Sequence, residues 1–131
     1  DYAAGSNTQT LANLHGKVLR MNPDGSIPAD NPLFSAASGK NRLIWALGLR
    51  NPFTFAVQPG TGRIFVNDVG QSAWEEIKDA AAGDNFGWPA TEGDFNQASF
   101  PNFKRPLYAY ANDASTCAIT GGTFYNPATK N

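Results

Sequence analysis

Arg50 is the residue with the clearest potential for binding chemistry. It lies in the run Leu-Gly-Leu-Arg-Asn-Pro at residues 47–52, which begins inside a short apolar stretch at residues 43–47. Gly48 allows the backbone to turn before the arginine, and Pro52 ends the local run. An arginine held at the end of a rigid strand presents a planar set of donors that matches a carboxylate. The pattern indicates a site for a carboxylate-bearing ligand, and the alternative is a structural arginine that ties neighbouring sheets together.

The elements that position this arginine are short β-strands. Alternation of apolar and polar residues after Pro52 places Phe53, Phe55 and Val57 on one face of a strand. Three consecutive strands are predicted at residues 53–58, 63–67 and 75–79. A tight turn at residues 59–62 joins the first two, and a loop at residues 68–74 joins the second and third. Because a meander of this size cannot bury both of its faces alone, it needs neighbouring sheets.

Further strands are predicted at residues 16–21, 107–110 and 118–125, whereas residues 1–15 form a loose N-terminal segment. Strand units that recur every ~40–45 residues are typical of β-propellers, and on that spacing the chain makes about three blades. A closed ring needs at least about four blades. We therefore predict an all-β fold in which residues 1–131 form a single partial propeller domain. The rest of the ring would come from a longer parent chain or from partner chains.

The composition excludes several classes of function. The chain has 131 residues, a net charge of −1 and 16% charged residues, so neither nucleic acid nor an anionic membrane surface is an expected partner. No run is long and apolar enough for a transmembrane helix. Cys117 is the only cysteine, which excludes an internal disulfide. The only histidine, His15, fits an exposed or hydrogen-bonded residue better than a base or a metal ligand.

Three stretches in register resemble the glucose/sorbosone dehydrogenase family, whose best-known members are soluble quinoprotein sugar dehydrogenases. They are residues 16–32, with Asn-Pro-Asp-Gly-Ser inside, residues 47–52, and residues 68–89, with Asp-Val-Gly-Gln and Asn-Phe-Gly-Trp-Pro. The resemblance implies a six-bladed propeller with a central pocket for pyrroloquinoline quinone (PQQ) and a calcium ion beside it. It also implies oxidation of an aldose at its C1 hydroxyl and a secreted or periplasmic location.

The resemblance further implies a set of site residues. The family's quinone-binding positions match Arg50, Asn51, Glu75 and Thr116. Its calcium ligands, which are backbone carbonyls in the loop before the Glu-Ile strand, match Gly70 and Gln71. Carbonyl oxygens suit so hard a cation. Trp74 lies in the same loop and is the candidate contact for the sugar, whereas Trp45 and Trp88 fit packing between blades.

Two departures bear on catalysis. Val69, which cannot hydrogen-bond through its side chain, stands where the well-studied enzymes have a cofactor-contacting glutamine. The family's general-base histidine lies upstream of the matched region, and His15 does not correspond to it, so we expect no catalytic residue in this chain. The alternative function is therefore a non-catalytic propeller that binds carbohydrate or protein within a larger secreted protein.

Three smaller predictions concern individual side chains. Glu75 and Glu76 are adjacent on a strand, so they should point to opposite faces, with one of them in water. Asp24, in the Asn-Pro-Asp-Gly sequence, fits a turn residue better than a calcium ligand. In an exported protein Cys117 should pair with a cysteine beyond Asn131, and the alternative is a small buried thiol.

Overall fold

The computed structural model describes residues 5–113 and 115–126. These residues contain six short strands and two 3₁₀ helices, joined by loops and turns. The 3₁₀ helices span Gly5–Thr8 and Gly39–Leu43. The strands are β1 (Lys17–Leu19), β2 (Ile44–Leu47), β3 (Pro52–Val57), β4 (Ile64–Val69), β5 (Trp74–Ala80) and β6 (Tyr108–Ala111). The architecture is all-β, as predicted. Among these residues no helix has the length and apolarity needed to cross a membrane.

The strands form two antiparallel sheets. β1 pairs with β2, and β3, β4, β5 and β6 follow one another in a four-stranded meander. The register of β4 and β5 places Asp68 opposite Glu76 and Val69 opposite Glu75. The predicted three-strand meander is therefore confirmed, and β6 extends it on the side of β5.

The core joins the two sheets and fixes the chain just before Arg50. Leu49 and Phe86 are fully buried and pack with Val66 and Ala46. The crossover at residues 84–88 runs beside β2, where the Leu47 N–H donates to the Asp84 carbonyl (2.9 Å) and the Phe86 N–H donates to the Leu47 carbonyl (3.0 Å). The backbone that leads to Arg50 is thus paired on two sides, with β1 and with the crossover.

One face of β3 is apolar and open to solvent among the described residues. Phe53, Phe55 and Val57 lie on this face, with exposures of 57%, 63% and 52%. A groove of about 390 Å³ runs beside it, between β1 and β4. The alternation along this strand was predicted, and the exposed face agrees with a sheet that packs against further sheets of its kind.

Two predicted strands differ from the structure. The strand predicted at residues 118–125 does not form in the described residues, because no neighbouring strand there offers it a ladder of partners. This segment instead lies against the four-stranded sheet, with the Phe124 ring 5.1 Å from that of Phe65. The strand predicted at residues 16–21 is limited to β1, since the pairing with β2 becomes irregular between Val18 and Leu19.

Candidate functional site

Arg50 lies immediately before β3 and reaches the loop that joins β4 to β5, residues 70–73. Its Nη1 donates to the carbonyl oxygens of Val69 (2.8 Å) and Gly70 (2.5 Å). The Val69 N–H in turn donates to the Asn51 carbonyl (3.1 Å). The structure therefore brings together two of the predicted motifs, Arg-Asn-Pro and the glycine loop.

The backbone of the arginine motif is held by Asp68, a residue that sequence reasoning missed. Asp68 is 1% exposed. It accepts the N–H groups of Asn51 (2.7 Å) and Arg50 (3.2 Å). Burial raises the pKa of Asp68, while the charge of Lys78 and these two N–H groups act in the opposite direction. The available signal was an aspartate near the end of a predicted strand, two positions before Gly70.

A buried ion pair lies on the same face of the sheet as Asp68. Lys78 Nζ is 2.7 Å from Glu76 Oε1, and each side chain is 3% exposed. The two residues are two positions apart on β5 and therefore share a face. Burial raises the pKa of Glu76, and the neighbouring ammonium of Lys78 opposes that shift. The same carboxylate oxygen accepts the Gly93 N–H (2.9 Å), which ties the turn at residues 92–93 to the sheet.

Glu75 points to the other face, as predicted, but neither glutamate faces water. Glu75 is fully buried. Its Oε1 accepts from the Asn112 side-chain amide (2.6 Å) and its Oε2 from the Ile119 N–H (3.0 Å). The expectation of one solvated glutamate is wrong because Asn112 and Ile119 lie against the Glu75 carboxylate. Both oxygens of Glu75 contact donors of the protein itself, and its quinone contact stays a prediction.

The loop at residues 70–73 requires glycine at its first position. A Cβ built on Gly70 would lie 1.5 Å from the carbonyl oxygen of Trp74. The next residue, Gln71, donates its N–H to Glu92 Oε1 (2.6 Å). The half-buried Trp74 packs its indole against Gly93, where a Cβ would lie 2.6 Å from two ring atoms. Trp74 thus lies at the end of this loop with part of its ring packed against Gly93, and its sugar contact stays a prediction.

The other predicted residues take part in local structure. Thr116 closes a turn: its hydroxyl donates to the Ala111 carbonyl (2.8 Å) and accepts the Asp113 N–H (2.8 Å). Cys117 is an exposed free cysteine, so the buried thiol weighed as an alternative is wrong. His15 is exposed, and Asp24 accepts the Ser26 N–H (2.9 Å), the contact of a turn residue. No described contact joins Thr116 to Arg50, and its cofactor role stays a prediction.

Replacement of Gly70 by alanine should displace this loop. The added methyl group would overlap the backbone of Trp74, which cannot rotate out of the way, so we expect a loss of ~3 kcal/mol in the free energy of unfolding. The matched control is Gly121→Ala, since a Cβ at Gly121 meets nothing within 4 Å. Thermal and urea unfolding of the two variants checks the prediction. Equal stability of both variants would contradict it.

Comparison with known proteins assigns the family. The family model described as glucose/sorbosone dehydrogenase matches residues 1–130. The chain belongs to this family. It is 35% identical over 127 residues to the aldose sugar dehydrogenase YliI of Escherichia coli, covering 90% of this chain and 33% of that protein. It is 40% identical over 97 residues to the quinoprotein glucose dehydrogenase B of Acinetobacter calcoaceticus, covering 74% and 18%.

Solved structures agree with this assignment. A putative oxidoreductase (glucose dehydrogenase) of Thermus thermophilus superposes with a TM-score of 0.72 at 34% identity, over 83% of this chain and 32% of that one. The PQQ-bound aldose sugar dehydrogenase of Streptomyces coelicolor gives a TM-score of 0.69 at 29% identity, over 83% and 30%. The two sheets are thus an arc of a β-propeller. The chain spans about a third or less of the length of these relatives.

Proposed function

We propose that this chain is part of a quinone-dependent sugar dehydrogenase that oxidises an aldose at C1 with PQQ and calcium. In this proposal the remaining blades, and the general base that takes the hydroxyl proton, come from sequence outside the chain. The observation that carries the proposal is the contact of the Arg50 guanidinium with the Val69 and Gly70 carbonyls. We also propose a secreted or periplasmic location, which the resemblance to this family implies.

The chemistry of the residues present fits an anionic quinone. Arg50 places a permanent positive charge beside the backbone of the loop at residues 70–73, and its planar guanidinium matches the carboxylates of such a quinone. Asp68 fixes the backbone of Arg50 and of Asn51, so the guanidinium is held before any ligand arrives. When bound, PQQ would supply the two-electron oxidising power for the reaction. Trp74 is the proposed sugar contact, because an indole ring offers a flat apolar surface at the edge of the same loop.

Calcium fits this site only together with the quinone. Calcium takes about six to eight oxygen ligands, and the chain offers the Gly70 and Gln71 carbonyls. The Gly70 oxygen already accepts Arg50 Nη1, so a cation on that oxygen would lie next to a positive charge. A ligand that brings negatively charged oxygens of its own would offset this repulsion. We therefore propose that calcium binds in a ternary arrangement with the quinone and only weakly without it.

The decisive test is catalysis by the full-length protein that contains this chain. After incubation with PQQ and calcium, we expect reduction of an electron-accepting dye when aldoses are added. No reduction should occur without the quinone. Absence of both quinone binding and dye reduction would overturn the proposal.

A second candidate is a non-catalytic propeller module, and Val69 is the observation that favours it. This residue lies beside Arg50 yet cannot donate or accept through its side chain, unlike the glutamine expected there. A glycan array and a partner pull-down test this candidate. Carbohydrate or protein binding by a full-length protein that does not take up PQQ would favour it, and dye reduction with an aldose would rule it out.

A further inference from the structure

We propose that Glu92 is a positioning residue for the cofactor site. Together with Arg50, it fixes the orientation of the peptide group between Gly70 and Gln71. The inference rests on the proposed function, since the carbonyl of this peptide is one of the two proposed calcium ligands. The contact of Glu92 with the site is its hydrogen bond from the Gln71 N–H. Glu92 acts through the backbone of the loop.

The contacts lie at opposite ends of a single peptide group. The Gly70 carbonyl and the Gln71 N–H belong to the same planar unit, so neither can rotate without the other. The oxygen accepts from Arg50 Nη1 at 2.5 Å, and the N–H donates to Glu92 Oε1 at 2.6 Å. Both hydrogen bonds involve a charged side chain, which makes them about twice as strong as neutral ones. A flip of this peptide would break both contacts at once.

Glu92 is itself held by the sheet. The following residue, Gly93, donates its N–H to the buried Glu76, which is paired with Lys78. Gly93 also lies against the indole of Trp74. The turn at residues 92–93 therefore contacts the loop at both ends. Glu92 accepts from Gln71 near its beginning, and Gly93 packs against Trp74 at its end. This arrangement gives the carboxylate of Glu92 a fixed place from which to orient the peptide.

The effect of Glu92 should fall on binding more than on stability. Its side chain is half-buried, and removing it leaves the ion pair of Glu76 and Lys78 intact. Without the carboxylate, the Gln71 N–H loses its acceptor and the peptide is held at its oxygen alone. Residues that orient a metal ligand from behind typically change metal affinity by about 10- to 100-fold.

The experiment compares Glu92→Ala, Glu92→Gln and Asp94→Ala in the full-length protein. Asp94 belongs to the same loop region, and its exposed carboxylate pairs only with the exposed Arg105 among the described contacts, so its loss is the matched control. Amide hydrogen exchange of the peptide containing Gln71 is measured without cofactor. The dissociation constant for PQQ in the presence of calcium is measured separately.

We expect Glu92→Ala to speed exchange at Gln71 about tenfold or more and to weaken PQQ binding about tenfold or more. Glu92→Gln keeps an acceptor oxygen and should restore most of both properties, and Asp94→Ala should match the wild type. Unchanged exchange and unchanged binding in Glu92→Ala would overturn the inference. Failure of the wild-type protein to bind PQQ would overturn the proposed function instead. In that case, slowed or unaltered exchange at Gln71 in Glu92→Ala would still refute the orienting role of Glu92.

Discussion

Replacement of Arg50 by alanine is expected to weaken PQQ binding by about 10- to 100-fold. The change removes a charge-assisted contact to the ligand, worth about 1.5–3 kcal/mol, and releases the Val69 and Gly70 carbonyls from their shared donor. Arg50→Lys should lie between the wild type and alanine, because an ammonium keeps the charge but lacks the planar fork. Equilibrium titration of the full-length protein with PQQ, at fixed calcium, measures the effect.

The control for this prediction is Arg63→Ala. Arg63 pairs with Asp79 near the opposite end of β4 and is half-exposed, so its loss changes the net charge of the protein by the same amount without touching the loop. Equal PQQ affinity of Arg50→Ala and Arg63→Ala would show that Arg50 is the structural arginine weighed as the alternative. Unfolding measurements on both variants separate a loss of binding from a loss of fold.

Replacement of Lys78 by methionine should cause the largest loss of stability. The change leaves the carboxylate of Glu76 buried without its cation, and breaking a buried pair in this way costs about 3–5 kcal/mol. A double variant, Glu76→Gln with Lys78→Met, removes both charges of the pair and should recover part of that loss, because the buried Asp68 still lacks the nearby ammonium. Urea unfolding of the single and double variants measures the effect.

Lys104→Met provides the comparison for this prediction. Lys104 forms an ion pair with Asp84 at 2.7 Å, the same distance as in the buried pair, but with side-chain exposures of 36% and 20%. A partly exposed pair contributes about 1 kcal/mol or less. If Lys78→Met and Lys104→Met lose the same small amount of stability, the buried pair is not a structural anchor of this sheet.

The strands and the arginine motif were predictable from the sequence because both depend on local patterns. Alternation after Pro52 correctly placed Phe53, Phe55 and Val57 on one face. The segment at residues 118–125 also contains β-branched and aromatic residues but forms no strand in the described residues. A strand depends on a partner as well as on its own residues, and no local pattern reports whether that partner is present.

The supporting side chains of the site were not predictable because their roles depend on contacts between distant parts of the chain. Asp68 accepts the N–H groups of Asn51 and Arg50, which lie 17 and 18 positions earlier in the chain. Glu92 accepts the N–H group of Gln71, which lies 21 positions earlier. In a sequence, such carboxylates look like ordinary solvent-facing residues. Glu75 misled the prediction for the same reason, since the segment that buries it comes 37 to 44 positions later.

The most direct test of the account is a crystal structure of the full-length protein with PQQ and calcium. The account predicts electron density for the quinone beside the loop at residues 70–73, with a quinone carboxylate on the Arg50 guanidinium and calcium on the Gly70 carbonyl. A quinone bound elsewhere in the protein, with Arg50 contacting only protein atoms, would contradict it.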